Sequence, residues 1–128
     1  MHATFFAPQL YIQPGIKDVT FYEKAFDAVE LRRWSNDDGG IHVVEFSIHG
    51  NVFQLHEDKM EAGRLNPQKI NGTTVLIGLF VEDVDTVMEK ALAAGGTLIS
   101  PAESYDYGYR QGEIKDPFGH IWMIEEKI

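Results

Sequence analysis

Two groups of polar side chains in this 128-residue chain could bind or act on a small molecule. Gln54 and His56 are two residues apart in an alternating apolar and polar run, so both point to one face of a strand. His56 could contact a ligand or simply stand near the end of that strand. Arg110 lies among tyrosines at positions 105, 107 and 109. It could hold a carboxylate or phosphonate with two parallel hydrogen bonds, or pair with one of the acidic residues.

Other chemistry is excluded by what the sequence lacks. Without cysteine there are no disulfides, thiolate metal sites or cysteine nucleophiles. No serine has a nucleophile-elbow setting, and no glycine-rich phosphate-binding motif is present. A metal site built from Gln54, His56 and Glu57 is disfavoured, because alternation puts Glu57 on the opposite face from His56. We therefore predict no metal and no cofactor.

The charge balance restricts the partners. With 11 basic and 20 acidic residues the net charge is −9, which repels nucleic-acid phosphate and favours neutral or cationic ligands. No apolar run approaches the ~18 residues of a membrane span. We expect a soluble, cytoplasmic protein that binds a small molecule and neither nucleic acid nor a membrane.

Two similar strings of elements must position these residues. The first has a strand near 10–13, an amphipathic helix containing Val19, Tyr22 and Phe26, and then three strands, near 29–35, 41–49 and 51–57. We expect tight turns at Gly50-Asn51 and Gly39-Gly40.

The second string repeats that order. It has a strand at 73–81, a helix with the apolar stripe Val84, Val87, Met88, Ala91 and Leu92, and strands near 97–100, 108–115 and 119–125. Segments 17–26 and 82–92 also match in residue type, which favours an internal duplication. We predict one α+β domain over residues 1–128, with modules at about 1–57 and 73–128 joined by a polar loop, 58–72.

The C-terminal run from Gly108 to Trp122, with its Gly-x-Arg-x-Gly and Asp-Pro-Phe-Gly-His-x-Trp patterns, resembles the vicinal oxygen chelate superfamily. That superfamily includes glyoxalase I, extradiol dioxygenases, and fosfomycin and bleomycin resistance proteins, and the similarity is greatest to its PhnB-like branch. The resemblance implies two βαβββ modules that form a half-open barrel, completed as a homodimer. It also implies that the metal enzymes of the family place four His, Glu or Gln ligands on the concave face.

The family's four ligand positions fall on Ala7, Gln54, Leu76 and Met123 of this chain. Only Gln54 could ligate a divalent ion, and one amide oxygen cannot hold it. Alternation places Tyr11, His56 and Phe80 on the same strand faces as these positions. We predict that six ligand-binding side chains converge on one concave surface, with Gln54 facing Met123: Tyr11, Gln54, His56, Phe80, Arg110 and Met123.

Two functions follow from the resemblance. The first is a metal-free binding protein, similar to the bleomycin resistance proteins, that sequesters a hydrophobic or cationic ligand. The alternative is a lyase or dioxygenase of the same superfamily with an atypical active site. The sequence leaves open whether any reaction is catalysed.

Overall fold

The computed structural model describes residues 3–59 and 63–128, so residues 60–62 of the predicted loop lie outside the described residues. Two successive βαβββ modules are present. Module one consists of β1 (Gln9–Ile12), α1 (Phe21–Phe26), β2 (Val29–Ser35), β3 (Ile41–Ile48) and β4 (Asn51–Glu57). A short helix, α2 (Pro67–Ile70), follows it. Module two consists of β5 (Leu76–Phe80), α3 (Val84–Ala93), β6 (Thr97–Tyr105), β7 (Tyr109–Lys115) and β8 (Ile121–Lys127).

The two modules share one topology. Each forms a four-stranded sheet, in the orders β1-β4-β3-β2 and β5-β8-β7-β6. In each sheet the first strand pairs in parallel with the last one, and the remaining pairs are antiparallel. The two sheets do not close into a barrel. This confirms the predicted α+β fold of two βαβββ modules in a half-open arrangement.

A shared aromatic core lies between the two sheets. The fully buried ring of Tyr22 on α1 contacts Phe46 and Phe53 of module one, and also Phe118 and Trp122 of module two. The rings of Phe53 and Trp122 are themselves 5.5 Å apart between centroids. The helix side of each sheet, which we call its inner face, therefore packs toward the other module. The opposite side of each sheet, its open face, points away from the core.

Asp116 ties the modules together at the centre of this core. Its carboxylate is 3% exposed and accepts hydrogen bonds from the Tyr22 hydroxyl at 2.6 Å and from Trp122 Nε1 at 3.0 Å. The other oxygen accepts from the backbone N–H groups of Phe118 and His120. The Asp-Pro-Phe-Gly turn is thereby held by the side chain of its own first residue, which at the same time bonds α1 of the other module.

Two local features differ from the sequence expectation. The hairpin between β3 and β4 turns at His49 and Gly50, whose φ angles of 49° and 87° fit a tight two-residue turn, and Asn51 already belongs to β4. The predicted polar loop contains α2, whose first turn is capped by the Asn66 side chain. The fully buried carboxylate of Asp58 accepts two hydrogen bonds from Asn66, so the start of α2 is fixed to the end of β4.

Candidate functional site

The open face of module one carries three of the predicted ligand-binding residues. Tyr11 on β1 lies beside His56 on β4 in the parallel register, and Gln54 follows on the same side of β4. On the antiparallel side of β4, Glu45 of β3 pairs with Gln54. Strand alternation accounts for this placement, because Phe53 and Leu55 between these polar residues are buried in the core.

The polar groups of this face form a continuous chain of contacts. Arg32 Nε lies 3.3 Å from Glu45 Oε1, Gln54 Nε2 donates to Glu45 Oε2 at 2.8 Å, and Gln54 Oε1 lies 2.9 Å from His56 Nε2. The Arg32 guanidinium also lies over the ring of Trp34, 5.9 Å from its centroid. Burial, with a smaller contribution from nearby His42, lowers the pKa of His56 below its ordinary value. The imidazole is therefore neutral at pH 7.

The open face of module two carries Phe80 and Met123. Met123 lies beside Gly78 in the parallel register of β5 and β8, and Phe80 lies beside Glu125. Aromatic surface dominates here: Phe80 is 65% exposed, and its ring makes an edge contact with Tyr109 at 6.2 Å. The rings of Tyr105, Tyr107 and Tyr109 form a second, connected row, with centroids 5.3 and 6.3 Å apart.

Arg110 does not belong to this face, and the expectation that it shares a surface with the others is wrong. Because its chain neighbours Tyr109 and Gln111 point to the open side, Arg110 points to the inner side of β7. There it donates two hydrogen bonds to Asp85 on α3, at 3.0 and 2.8 Å, and one to Ser104. These bonds lower the pKa of the Asp85 carboxyl. Of the two alternatives for Arg110, the structure shows the ion pair.

The predicted approach of Gln54 to Met123 across a cleft stays a prediction. The structure brings their chain neighbours together: the ring centroids of Phe53 and Trp122 are 5.5 Å apart in the core. Because side chains alternate along a strand, Gln54 and Met123 point away from this contact, each to the other side of its own sheet. Alternation carries no information on how the two sheets are placed relative to each other.

Sequence reasoning missed several polar residues of the two open faces, namely Arg32, Glu45, Gln111 and Glu125. Gln111 Nε2 donates to Glu125 Oε1 at 2.8 Å, and the Tyr107 hydroxyl donates to Gln111 Oε1. Glu125 is 8% exposed, which is unusual for a carboxylate. The register of the β3–β4 and β7–β8 hairpins would have predicted these pairs, because it places Glu45 beside Gln54 and Gln111 beside Glu125.

His120 has a structural role that joins the modules. Its Nε2 lies 2.8 Å from the backbone carbonyl oxygen of Tyr11, and the imidazole is buried. This contact links the last turn of module two to β1 of module one. It thereby supports the backbone under Tyr11.

The donor set at the family's metal positions does not fit a divalent ion. Ala7, Leu76 and Met123 offer no hard donor, and Gln54 already uses both ends of its amide. Within residues 3–59 and 63–128, no three His, Asp or Glu side chains form a group that could hold a metal ion. No helix in this part of the chain is both long enough and apolar enough to cross a membrane.

A cleft lies elsewhere in the described chain. It has a volume of about 850 Å³ and lies in the seam between the modules, beside the C-terminal end of α1 and the start of α3. Phe80 is the one predicted site residue that lines it.

Two successive βαβββ modules, each with a four-stranded mixed sheet, define the class of this fold. The chain belongs to the Glyoxalase/Bleomycin resistance protein/Dioxygenase superfamily, whose family profile matches residues 17–124. The PhnB-like branch within it is not resolved by this match.

Relatives agree with this assignment. An uncharacterized protein of Mycobacterium bovis is 37% identical over 125 residues, which cover 95% of this chain and 82% of that protein. The crystal structure of an Arabidopsis thaliana gene product is 26% identical with a TM-score of 0.73, covering 96% of this chain and 98% of that one. The fosfomycin resistance protein FosX of Listeria monocytogenes has a TM-score of 0.70 at 19% identity, covering 100% and 96%, which is a likeness of fold.

Proposed function

We propose that this protein binds a hydrophobic or cationic aromatic small molecule without a metal, and that it does so as a homodimer. One observation supports the proposal most: module one carries a connected polar chain from Arg32 to His56, whereas module two carries the exposed ring of Phe80 in contact with Tyr109. A symmetric dimer could bring the module-one face of each chain opposite the module-two face of its partner, giving two identical cups.

Exposed apolar side chains on an edge strand support a dimer. β5 is an edge of its sheet, and Val75, Leu76 and Phe80 in and beside it are 59%, 51% and 65% exposed. β1 is the corresponding edge in module one. Unpaired edges with apolar side chains are a liability that pairing removes. Static light scattering should give twice the 14.5 kDa chain mass at micromolar concentration, and a monomer would contradict the proposal.

The side chains of both faces support the ligand class. Phe80 and Tyr109 supply faces on which a planar ring can stack, and Met123 supplies soft apolar surface. Buried Glu125 lies beside them, and the net charge of −9 favours a cation over an anion. A positive charge above an aromatic face gains further energy from the ring quadrupole.

Calorimetric titration with three planar probes of similar size tests this function: the cation 1-methylquinolinium, neutral quinoline and the anion 2-naphthoate. We expect the affinity to fall in that order. A preference for 2-naphthoate would overturn the ligand class. Metal analysis of protein purified without chelator tests the alternative enzyme function, because about one Zn, Ni, Mn or Fe per chain would favour the lyase or dioxygenase.

Two finer assignments belong to this proposal. The patterns Gly108-x-Arg110-x-Gly112 and Asp116-Pro117-Phe118-Gly119-His120-x-Trp122 support the PhnB-like branch. The absence of cysteine supports a reducing, cytoplasmic location. Fractionation of the producing cell, with the protein detected by antibody, would test the location.

A further inference from the structure

The polar chain on the open face of module one fixes where the hydrogens lie. Glu45 is the starting point, because its carboxylate forms an ion pair with the Arg32 guanidinium at 3.3 Å. An ionised carboxylate only accepts hydrogen bonds. The Gln54 amide atom 2.8 Å from Glu45 must therefore be the nitrogen, and the amide oxygen must point to His56.

The same reasoning continues to the imidazole. The Gln54 oxygen can only accept, so His56 Nε2, at 2.9 Å, must carry a hydrogen. A neutral imidazole has one N–H, which leaves Nδ1 with a lone pair. Tyr11 and Val43 flank His56 in the sheet, and Nδ1 makes no hydrogen bond to any residue of the described chain.

We propose that Arg32, Glu45 and Gln54 hold His56 in its Nε2–H tautomer and thereby make it a hydrogen-bond acceptor toward the ligand. Gln54 is then a positioning residue, and His56 is the residue that contacts the ligand. The ligand class becomes narrower: an aromatic molecule with an N–H or O–H donor. This preference for a donor-bearing ligand rests on the proposed function. The assignment of the His56 tautomer does not, because it follows from contacts within the chain.

Module two contains an analogous chain. There Glu125 accepts from the Gln111 amide nitrogen, and the Gln111 oxygen accepts from the Tyr107 hydroxyl. The Tyr107 hydrogen is used within the face, and the lone pairs of its oxygen are left for another donor. Two independent carboxylate–glutamine pairs thus end in groups that offer acceptors, and both favour a donor-bearing ligand.

Long-range ¹H–¹⁵N correlation spectra of the ligand-free dimer, labelled at histidine, test the tautomer directly. In the unmodified protein we expect His56 Nε2 at the shift of a protonated ring nitrogen and Nδ1 at that of an unprotonated one. His56→Gln identifies the signals by their loss. A predominant Nδ1–H tautomer would overturn the inference, and this measurement needs no destabilising variant.

A variant tests whether the chain is the cause. The glutamine introduced by Glu45→Gln can either donate or accept a hydrogen bond. The Gln54 amide can then adopt both orientations, and we expect a mixture of His56 tautomers. The matched control is Glu30→Gln, which removes a carboxylate from β2 that pairs with Arg33, away from this chain. An unchanged tautomer in folded Glu45→Gln would contradict the role of Glu45.

Indole and 1-methylindole test the selection, since a methyl group replaces the N–H donor in the second, and Glu45→Gln controls for the size of that methyl group. We expect indole to bind about fivefold more tightly, the effect of one net hydrogen bond, and the difference to disappear in Glu45→Gln. Equal binding to the unmodified protein would overturn the selection. If neither probe bound, the proposed function would be contradicted, and the tautomer measured without ligand would still decide the inference about His56.

Discussion

The two open faces differ although the modules share one topology. Module one presents directional polar groups in a connected chain from Arg32 to His56, whereas module two presents exposed rings around Phe80 beside a shorter polar chain from Glu125 to Tyr107. The inner faces do not diverge in this way, because both contribute rings to one core around Tyr22. Duplicated modules can therefore keep a common packing surface while their outward surfaces acquire complementary chemistry.

The largest effect is expected where the two modules are joined. Asp116→Ala should destabilise the protein by about 3 kcal/mol or more, because the buried Tyr22 hydroxyl and Trp122 N–H both lose their acceptor. Urea unfolding measures this change. The control, Asp85→Ala, removes an exposed carboxylate from the Arg110 pair and should leave the urea midpoint nearly unchanged. Equal effects of the two variants would show that Asp116 does not join the modules.

Mixed dimers can test the proposal that each binding site combines the module-one face of one chain with the module-two face of its partner. One chain carries Gln54→Ala with His56→Ala, and the other carries Phe80→Ala with Met123→Ala. In the proposed dimer, both homodimers should bind indole more weakly than the unmodified protein does, but the mixed dimer should bind one molecule with full affinity, half the number for the unmodified dimer, because one cup keeps all its original side chains. Co-expression with two affinity tags isolates the mixed dimer for titration. No recovery of binding would place the complete site within a single chain.

The aromatic character of module two predicts a smaller, selective loss. Phe80→Ala should weaken the binding of 1-methylquinolinium about tenfold, since one stacking face and its cation–π contribution disappear. Phe80→Tyr should retain most of the affinity. Calorimetry of both variants separates ring loss from general disturbance, and comparable losses in the two would argue against stacking.

The smallest effect concerns the protonation of His56. Its pKa is lower in the folded protein, chiefly by burial, than in the unfolded chain. Its contribution to stability is therefore full above the ordinary histidine pKa and is lost as the pH falls through the folded value. The free energy of unfolding should decrease as the pH falls. In His56→Gln it should depend on pH slightly less steeply than in the unmodified protein. Thermal unfolding at several pH values measures the difference, and a steeper dependence in the variant would contradict it.

Local pattern was sufficient for the elements and for the side of each sheet. The bounds of β2 and β4 match the predicted 29–35 and 51–57, because alternation and glycine turns are local signals. Gln54 and His56 lie on one side of β4, as alternation predicts, and their side chains are 2.9 Å apart. The sequence alone does not show which residues of β7 face the same side as Gln54 on β4. The structure shows that Arg110 instead pairs with Asp85 on α3. The relative placement of the sheets depends on Tyr22, Asp116 and Trp122, which are distant in sequence.

The position of Tyr22 has a consequence for the history of the chain. Its ring is fully buried, and Phe118 and Trp122 of the second module are among the rings that pack against it. A single-module ancestor would have exposed that aromatic surface to water, so it would have needed a second copy of itself to fold stably. Gene duplication and fusion would then have converted an intermolecular interface into the present core. A polypeptide ending after β4, produced alone, should accordingly self-associate or remain unfolded, and it should regain a folded state when the missing half is supplied in trans.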